Sequence, residues 1–88
     1  MFTVTDKAGE LAEQMLRQSK FTESKCIRIE LDENGKGKMM LGTEQIGDMK
    51  YQRNGKTIIL VSQQAAEIFS DNMLDTQDTG KGSHLVLR

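Results

Sequence analysis

In the stretch from Glu33 to Thr43, ENGKGKMMLGT, two lysines lie among glycines. This spacing raises the possibility of a phosphate-binding loop. A glycine-rich loop binds phosphate when it opens a helix, because the helix N-terminus presents free backbone N–H groups. A dinucleotide-binding loop also needs a third glycine, where this sequence has Met40, and the residues that follow read as a strand. The later stretch TGKGSHLVLR lacks the leading glycine of a Walker loop and also runs into a strand. Both stretches therefore predict turns, the first with two solvated lysines, Lys36 and Lys38.

The other residue types that carry chemistry are isolated. Cys26 is the only cysteine and His84 the only histidine, and a lone cysteine is more often a small structural side chain than a metal ligand. The acidic residues form no motif of defined spacing, and no serine or cysteine has a recognisable base or elbow sequence around it. We predict no catalytic residues, no cofactor-binding residues, no cofactor and no enzyme activity. A metal shared between two chains through Cys26 is the alternative.

Composition restricts the class of protein further. The 88 residues are enough for one domain, residues 1–88, with a single thin core. A net charge of −1 provides no basic field for nucleic acid, and a single cysteine excludes an internal disulfide. The start MFTVTDKAGE has neither the basic nor the apolar region of a signal peptide, and no apolar run approaches the roughly 20 residues that cross a bilayer. We expect a cytoplasmic protein that binds neither nucleic acid nor membrane.

Hydrophobic periodicity indicates the elements that position these residues. Thr5 is placed to cap a helix, and Cys26 to Leu31 alternate as a half-buried strand with Arg28 and Glu30 on its polar side. A polar link, QSKFTESK, joins the two elements. The apolar residues of the helix recur at helical spacing and are Ala8, Leu11, Ala12, Met15 and Leu16. We therefore expect Met15 in the core.

The pattern further along the chain predicts two hairpins and a second helix. MMLGT reads as a returning strand, and DMKYQ, with Met49 facing the core, leads to a type I′ turn at Asn54-Gly55. KTIILV is a continuous apolar run, which we expect at the centre of a sheet and covered on both faces. Ser62 is placed to cap a helix that extends through Phe69, and SHLVLR reads as the last strand. This order predicts an α+β domain with two helices and a mixed or antiparallel sheet.

The same order resembles the A-type iron-sulfur carrier family, also called HesB-like, over essentially the whole chain. The resemblance rests on the segments FTVTDKAGELAEQML, CIRIEL, ENGKGKMMLGT, DMKYQRNGKTIILVSQQAAEIF and LDTQDTGKGSHLVLR. They include a strand that ends in a glycine turn, a hairpin with glycine before an isoleucine-rich strand, and a Leu-Asp strand start. The resemblance implies a single small HesB-like domain and a place in iron-sulfur cluster assembly.

The resemblance also implies where a cluster would be held. The family uses three cysteines, one in the turn after the strand and two in a Cys-Gly-Cys tail beyond the last strand, because thiolates hold iron-sulfur clusters. Here the turn reads GKGKM, which puts Lys36 at the position of the cysteine, and the sequence ends at Arg88, where the tail would begin. An ammonium group cannot ligate a cluster. We therefore expect a member of this family that lacks the ligand cysteines.

Two functions of different classes follow. The first is a non-catalytic module that recognises a protein partner, either iron-sulfur assembly machinery or an apo-client, without holding a cluster. The second is a metal or iron-sulfur cluster carrier that uses Cys26 across the subunit interface of a homodimer. For the first, the candidate partner-binding residues are Lys36 and Lys38, whose charge suits an acidic client, and Met40, which would form a docking patch with Val86 on an uncovered sheet face.

Overall fold

Nine secondary-structure elements position these residues in the computed structural model, which describes residues 1–18 and 25–88. The predicted link QSKFTESK lies almost entirely outside the described residues. Neither of the helices found in these ranges, α1 (Asp6–Gln18) and α2 (Gln63–Ile68), is long and apolar enough to cross a bilayer. The strands are β1 (Thr3–Val4), β2 (Cys26–Leu31), β3 (Gly37–Gly42), β4 (Met49–Arg53), β5 (Lys56–Val61), β6 (Met73–Thr79) and β7 (Gly82–Leu87).

The strands form two mixed sheets. In the four-stranded sheet the order is β3-β2-β5-β4, with β2 parallel to β5 and the two outer pairs antiparallel. In the three-stranded sheet the order is β1-β6-β7, with β1 parallel to β6 and β7 antiparallel to it. The predicted α+β class with two helices and mixed pairing is confirmed, although the strands divide between two sheets instead of forming one.

Both helices are capped at the predicted residues by a side-chain hydroxyl that accepts a hydrogen bond from a backbone amide. Thr5 Oγ1 accepts a hydrogen bond from the Ala8 amide at 3.1 Å, and Ser62 Oγ accepts one from the Ala65 amide at 3.2 Å. The turn at Asn54-Gly55 has φ values of 53° and 78°, the two positive angles that a type I′ turn requires. The predicted caps and this hairpin are therefore confirmed.

The core lies between α1 and the two sheets, and α1 contributes buried side chains to it from Ala8, Ala12 and Leu16. β5 is buried on both faces, as its continuous apolar run predicts. Ile59 and Val61 belong to the main core cluster, whereas Leu60, also fully buried, is in register with Arg28 on the opposite face. Each strand of this sheet therefore presents an inner face toward α1 and an outer face on the side of Arg28.

The connection between β3 and β4 covers the outer face. These strands form the two edges of the four-stranded sheet, so residues 43–48, which we call the strap, must cross β2 and β5 to join them. The strap passes over Arg28, which donates hydrogen bonds to Thr43 and to Asp48 at its two ends. The strap therefore covers the outer face of the sheet, which the alternating apolar and polar residues of β2 predict to be exposed to solvent.

Candidate interaction surface

The turn between β2 and β3 is organised by one carboxylate. Asp32 Oδ1 accepts hydrogen bonds from the amides of Lys36 at 2.9 Å and Asn34 at 2.8 Å, and the Asp32 amide donates to the Lys36 carbonyl at 2.7 Å. The bond from the Lys36 amide, together with that from Asn34 and the nearby lysine charges, holds the pKa of the Asp32 carboxyl below its ordinary value. Lys36 and Lys38 are exposed, so the predicted turn with two solvated lysines is confirmed.

The two glycines of this turn are required for different reasons, which gives a prediction for stability. Gly35 has a φ of +77°, a left-handed conformation, whereas a Cβ on Gly37 would lie 2.7 Å from Leu87 Cδ1. We expect Gly35→Val and Gly37→Val each to lower the free energy of unfolding by about 1–3 kcal/mol. Lys36→Ala is expected to change it by no more than about 0.5 kcal/mol, because the side chain is solvated.

Chemical denaturation measures these differences. Gly80→Val is the matched control, because a Cβ on Gly80 would meet open space and its φ is not left-handed. If Lys36→Ala costs as much as Gly35→Val, the turn depends on the lysine side chain and the prediction is wrong.

β3 is an edge of the four-stranded sheet, and no described strand pairs with its other side. Along two antiparallel strands, residue pairs that exchange backbone hydrogen bonds alternate with pairs that do not. The Asp32 amide donates to the Lys36 carbonyl, so every second pair of β2 and β3 counted from Asp32 and Lys36 is hydrogen-bonded. Lys38 therefore bonds to β2, as Met40 does two residues later, while the N–H and C=O groups of the intervening Met39 and of Leu41 point away from the sheet. We call this side of β3 the free edge; it is a place where another strand can add.

The inner face at the free edge is apolar and open. Met39 and Leu41 are 46% and 44% exposed, and Met15 of α1 is 45% exposed. Together with Ile27 and Met40, these three residues line a shallow groove of about 160 Å³. The predicted burial of Met15 is wrong, because α1 packs chiefly on β5 and the three-stranded sheet. The predicted position of Met49 against the core is confirmed.

The outer face at the same edge carries the other candidate residues. Lys38 and Met40 share the face of Arg28 in the β2–β3 register, and both are exposed. Lys36 precedes them in the turn. Val86 belongs to β7 in the other sheet, so it does not join Met40 on one sheet face as the sequence suggests. The structure therefore brings Lys36, Lys38 and Met40 together without Val86.

A buried ion pair attaches the strap to the outer face. Arg28, only 3% exposed, donates from Nη2 to Asp48 Oδ1 at 3.0 Å, from Nη1 to Asp48 Oδ2, and from Nη1 to the Thr43 carbonyl at 3.2 Å. Its Nε donates to Glu30 Oε2 at 2.6 Å. The predicted position of Arg28 on a polar, solvent-facing side is wrong, because the strap passes over it. Local sequence carries no signal for the strand order that causes this crossing.

The ion pair shifts the titration of both partners. The hydrogen bond with Asp48 outweighs burial and raises the pKa of Arg28. Burial by itself would raise the pKa of Asp48, but the Arg28 guanidinium and the Gln45 amide at 2.7 Å outweigh it and hold this pKa below its ordinary value. Both groups are therefore charged in the folded protein at neutral pH. Between the anchored ends of the strap, Ile46 is fully exposed.

Cys26 begins β2, at the opposite end of this strand from the turn. Its Sγ donates to the Thr57 carbonyl at 3.3 Å, the side chain is half-buried, and burial raises the pKa of the thiol. The thiolate is the form that binds metals, so a raised pKa makes this residue a poorer ligand. Within residues 1–18 and 25–88, no three His, Cys, Asp or Glu side chains come together as a metal site.

Two helices and two mixed sheets, with a glycine turn between β2 and β3, define a small α+β domain of the class that the resemblance implies. Structural comparison matches it to the crystal structure of IscA with the [2Fe-2S] cluster, with a TM-score of 0.61. The match covers 100% of this chain and 84% of that chain, and the two sequences are 20% identical. No protein-family model matches the sequence, and no curated protein matches it. The likeness shows the fold.

The side chains around the turn do not fit an iron-sulfur cluster. Lys36 stands where the resemblance implies a cysteine, and the Asp32 carboxylate already accepts two backbone amides. Cys26 is the only cysteine in the sequence. It lies five strand residues before Leu31, which at a rise of about 3.3 Å per residue separates it from the turn by roughly 17 Å. Among residues 1–18 and 25–88, no thiolate lies at the turn.

Proposed function

We propose that this protein is a non-catalytic interaction module that recognises a protein partner of iron-sulfur cluster assembly and does not itself hold a cluster. The observation that carries the proposal is the exposed edge formed by β3 and its turn, where Lys36, Lys38 and Met40 lie together. The IscA fold supports the assembly context, and a lysine in place of the turn cysteine supports recognition over carriage. The partner is assembly machinery or an apo-client, and the setting is the cytoplasm.

The chemistry of the partner follows from the charges around Met40. Lys36 and Lys38 are exposed beside Met40 and form a lysine patch, in which Glu30 lies opposite Lys38 and Asp32 lies in the same turn. Acidic side chains next to an apolar residue on the partner would complement this patch. Because exposed charges attract weakly at high salt, where the Debye length contracts to about 3 Å at 1 M, binding should be salt-sensitive.

Reversing the two lysine charges is expected to abolish binding of the partner while leaving the fold intact. We would compare affinity capture from native lysate by the parent, by Lys36→Glu with Lys38→Glu, and by Lys7→Glu with Lys81→Glu. The last variant carries the same charge change at exposed lysines outside β3 and its turn. The true partner is captured by the parent and by this control, is lost with the turn variant, and is released as salt rises.

The captured protein must also bind the purified parent directly, with the same dependence on Lys36 and Lys38. Equal capture by all three proteins, or capture that does not weaken with salt, would rule out docking at the lysine turn.

Reconstitution with iron and sulfide in the absence of oxygen is expected to give no stable cluster. One cysteine per chain supplies one thiolate, and a symmetric dimer supplies two, whereas clusters are ordinarily held by four. Visible absorption of the desalted protein measures the outcome, with Cys26→Ser as the control. A stoichiometric chromophore that disappears in Cys26→Ser would instead establish the second function, a carrier that uses Cys26 across a subunit interface.

A further inference from the structure

Glu30 lies between two cations on the outer face, and its carboxylate pairs with one of them. Lys38 is directly opposite Glu30 in the β2–β3 register, and Arg28 lies two residues before Glu30 on the same face of β2. Glu30 Oε2 accepts a hydrogen bond from Arg28 Nε at 2.6 Å. Among the residues that the structure describes, neither lysine of the lysine patch forms an ion pair. The carboxylate best placed to neutralise Lys38 is therefore bound to Arg28.

The β2–β3 register alone predicts a different pairing. Residues directly opposite each other on antiparallel strands have Cβ atoms about 4.5–5.5 Å apart, within reach of a glutamate and a lysine, and opposite charges in such positions attract. Glu30 and Lys38 are opposed in this way. Arg28 is the partner that competes with Lys38 for this carboxylate.

Arg28 competes well because its guanidinium is already fixed. Its side chain is 4% exposed, and its two terminal nitrogens donate to the Thr43 carbonyl and to Asp48 on the strap. Nε has a single N–H, which it donates to Glu30, so this bond needs no further ordering of the guanidinium. Lys38 is exposed, and a hydrated ammonium on a flexible stem loses rotamer freedom when it holds a carboxylate. The buried bond is therefore the stronger one.

We propose that Arg28 is a positioning residue for the lysine patch: by holding the Glu30 carboxylate, it keeps the Lys38 ammonium available to an acidic partner. The inference rests on the proposed function for the existence of that partner, whereas the competition for Glu30 takes place within the chain itself. Without the guanidinium, Glu30 pairs with Lys38 and neutralises one of the two lysine charges. Arg28 and Glu30 thereby set how strongly the patch attracts acidic side chains, although neither has to touch the partner.

Acetylation of Lys38 measures its availability without any partner. Only the free amine attacks an acylating reagent, so a lysine that is paired with a carboxylate reacts more slowly. The probe is the N-hydroxysuccinimide ester of acetic acid at low salt. Mass spectrometry of proteolytic peptides gives the rate at Lys38 relative to that at Lys81, an exposed lysine in the turn between β6 and β7. Circular dichroism checks the fold of every variant.

Removing the carboxylate from the parent tests whether Lys38 is already paired. Glu30→Gln should leave the acetylation ratio unchanged, because glutamine still accepts from Arg28 Nε and the carboxylate it replaces is bound there. A rise of about twofold or more would show that Glu30 already holds Lys38, and it would overturn the proposal.

Removing Arg28 together with Asp48 should release Glu30. In Arg28→Met with Asp48→Leu, neither charge is left buried without its partner, so we expect the fold to be kept. The acetylation ratio of Lys38 should fall about two- to fivefold, the range that corresponds to a cross-strand ion pair. Adding Glu30→Gln should restore the parent ratio, whereas Glu10→Gln, the same change at an exposed residue of α1, should not. A ratio that does not fall, or a fall that Glu30→Gln does not reverse, would overturn the proposal.

Arg28→Lys tests the same competition with a smaller change. A lysine lacks the rigid fork with which one guanidinium bonds Asp48 and Glu30 together, so it should pair with Asp48 and release Glu30. The acetylation ratio of Lys38 should fall here too, and the fall should shrink at 1 M salt, where the Debye length is about 3 Å. A ratio equal to that of the parent would contradict the proposal.

The inference and the proposed function fail separately. The affinity of a captured partner should follow the same order, weaker by about two- to fivefold without Arg28 and Asp48 and restored by Glu30→Gln. Acetylation in the expected order with no partner captured would remove the proposed function and keep the competition for Glu30. Capture that depends on the lysine patch, with acetylation of Lys38 unchanged in every variant, would remove the inference and keep the function.

Discussion

Replacing Ile59 with aspartate is expected to unfold the protein. Ile59 is fully buried at the centre of the four-stranded sheet, where it is in register with Ile27 on one side and Tyr51 on the other. An unpaired carboxylate in that position costs several kcal/mol, and the total stability of a domain of this size is only about 5 to 10 kcal/mol. Far-ultraviolet circular dichroism during thermal melting should show no cooperative transition for Ile59→Asp.

The control for this result is the same change, isoleucine to aspartate, at a residue that is fully exposed. Ile46 is fully exposed on the strap, so Ile46→Asp should melt within a few degrees of the parent. If Ile59→Asp melts like the parent, β5 is not the interior strand that its apolar run and its two neighbours indicate.

Local patterns are enough to predict β5, both helix caps and the turn at Asn54-Gly55, because each of these depends on residues close together in the chain. A continuous apolar run needs burial on both faces, a serine or threonine hydroxyl satisfies the first free amides of a helix, and Asn-Gly tolerates two positive φ values. These features hold in whichever order the strands are arranged. The fold class is therefore predictable, while the division into two sheets is not.

The candidate site is predictable only in part, because its accessibility depends on strand order. Lys36 and Lys38 are exposed since they lie in a turn, which local sequence shows. Met15 belongs to the same apolar helical pattern as Leu16, yet it is 45% exposed because α1 packs chiefly on β5 and the three-stranded sheet. Arg28 reads as a solvent-facing residue of an alternating strand, yet it is buried because β3 and β4 lie at opposite edges and their connection passes over it. Both errors concern contacts between elements distant in the chain.

Removing Asp48 is expected to destabilise the protein by about 3–5 kcal/mol, the usual cost of leaving one member of a buried ion pair without its partner. The side chains of both Arg28 and Asp48 are almost completely buried, at 4% and 3% exposure. Asp48→Ala would leave the Arg28 guanidinium with Glu30 and the Thr43 carbonyl only, and would leave the Gln45 amide without its acceptor. Urea denaturation measures the loss, with Asp71→Ala as the exposed control, expected to change stability by no more than about 0.5 kcal/mol.

A double variant separates the ion pair from the packing of the strap. Replacing Arg28 with Met and Asp48 with Leu together removes both charges and keeps apolar volume over Leu60, so it should recover most of the stability lost in Asp48→Ala. If the double variant is as unstable as Asp48→Ala, the strap is held by the specific hydrogen bonds to Thr43 and Gln45 and not by covering the outer face.

The pH dependence of stability gives an independent reading of the same pair. The folded pKa of Asp48 is lowered, so its contribution is fully present above the unfolded-state value of about 3.9 and is lost as pH falls through the folded value. The parent should therefore lose stability below about pH 4, and Asp48→Asn, which has no carboxyl to protonate at this position, should lose less over the same range. Asp32 and Asp75 also have lowered pKa values and remain in both proteins, so only the difference between the two curves belongs to Asp48. Parallel curves from pH 7 to pH 2 would mean that the carboxylate of Asp48 does not stabilise the folded strap through its charge.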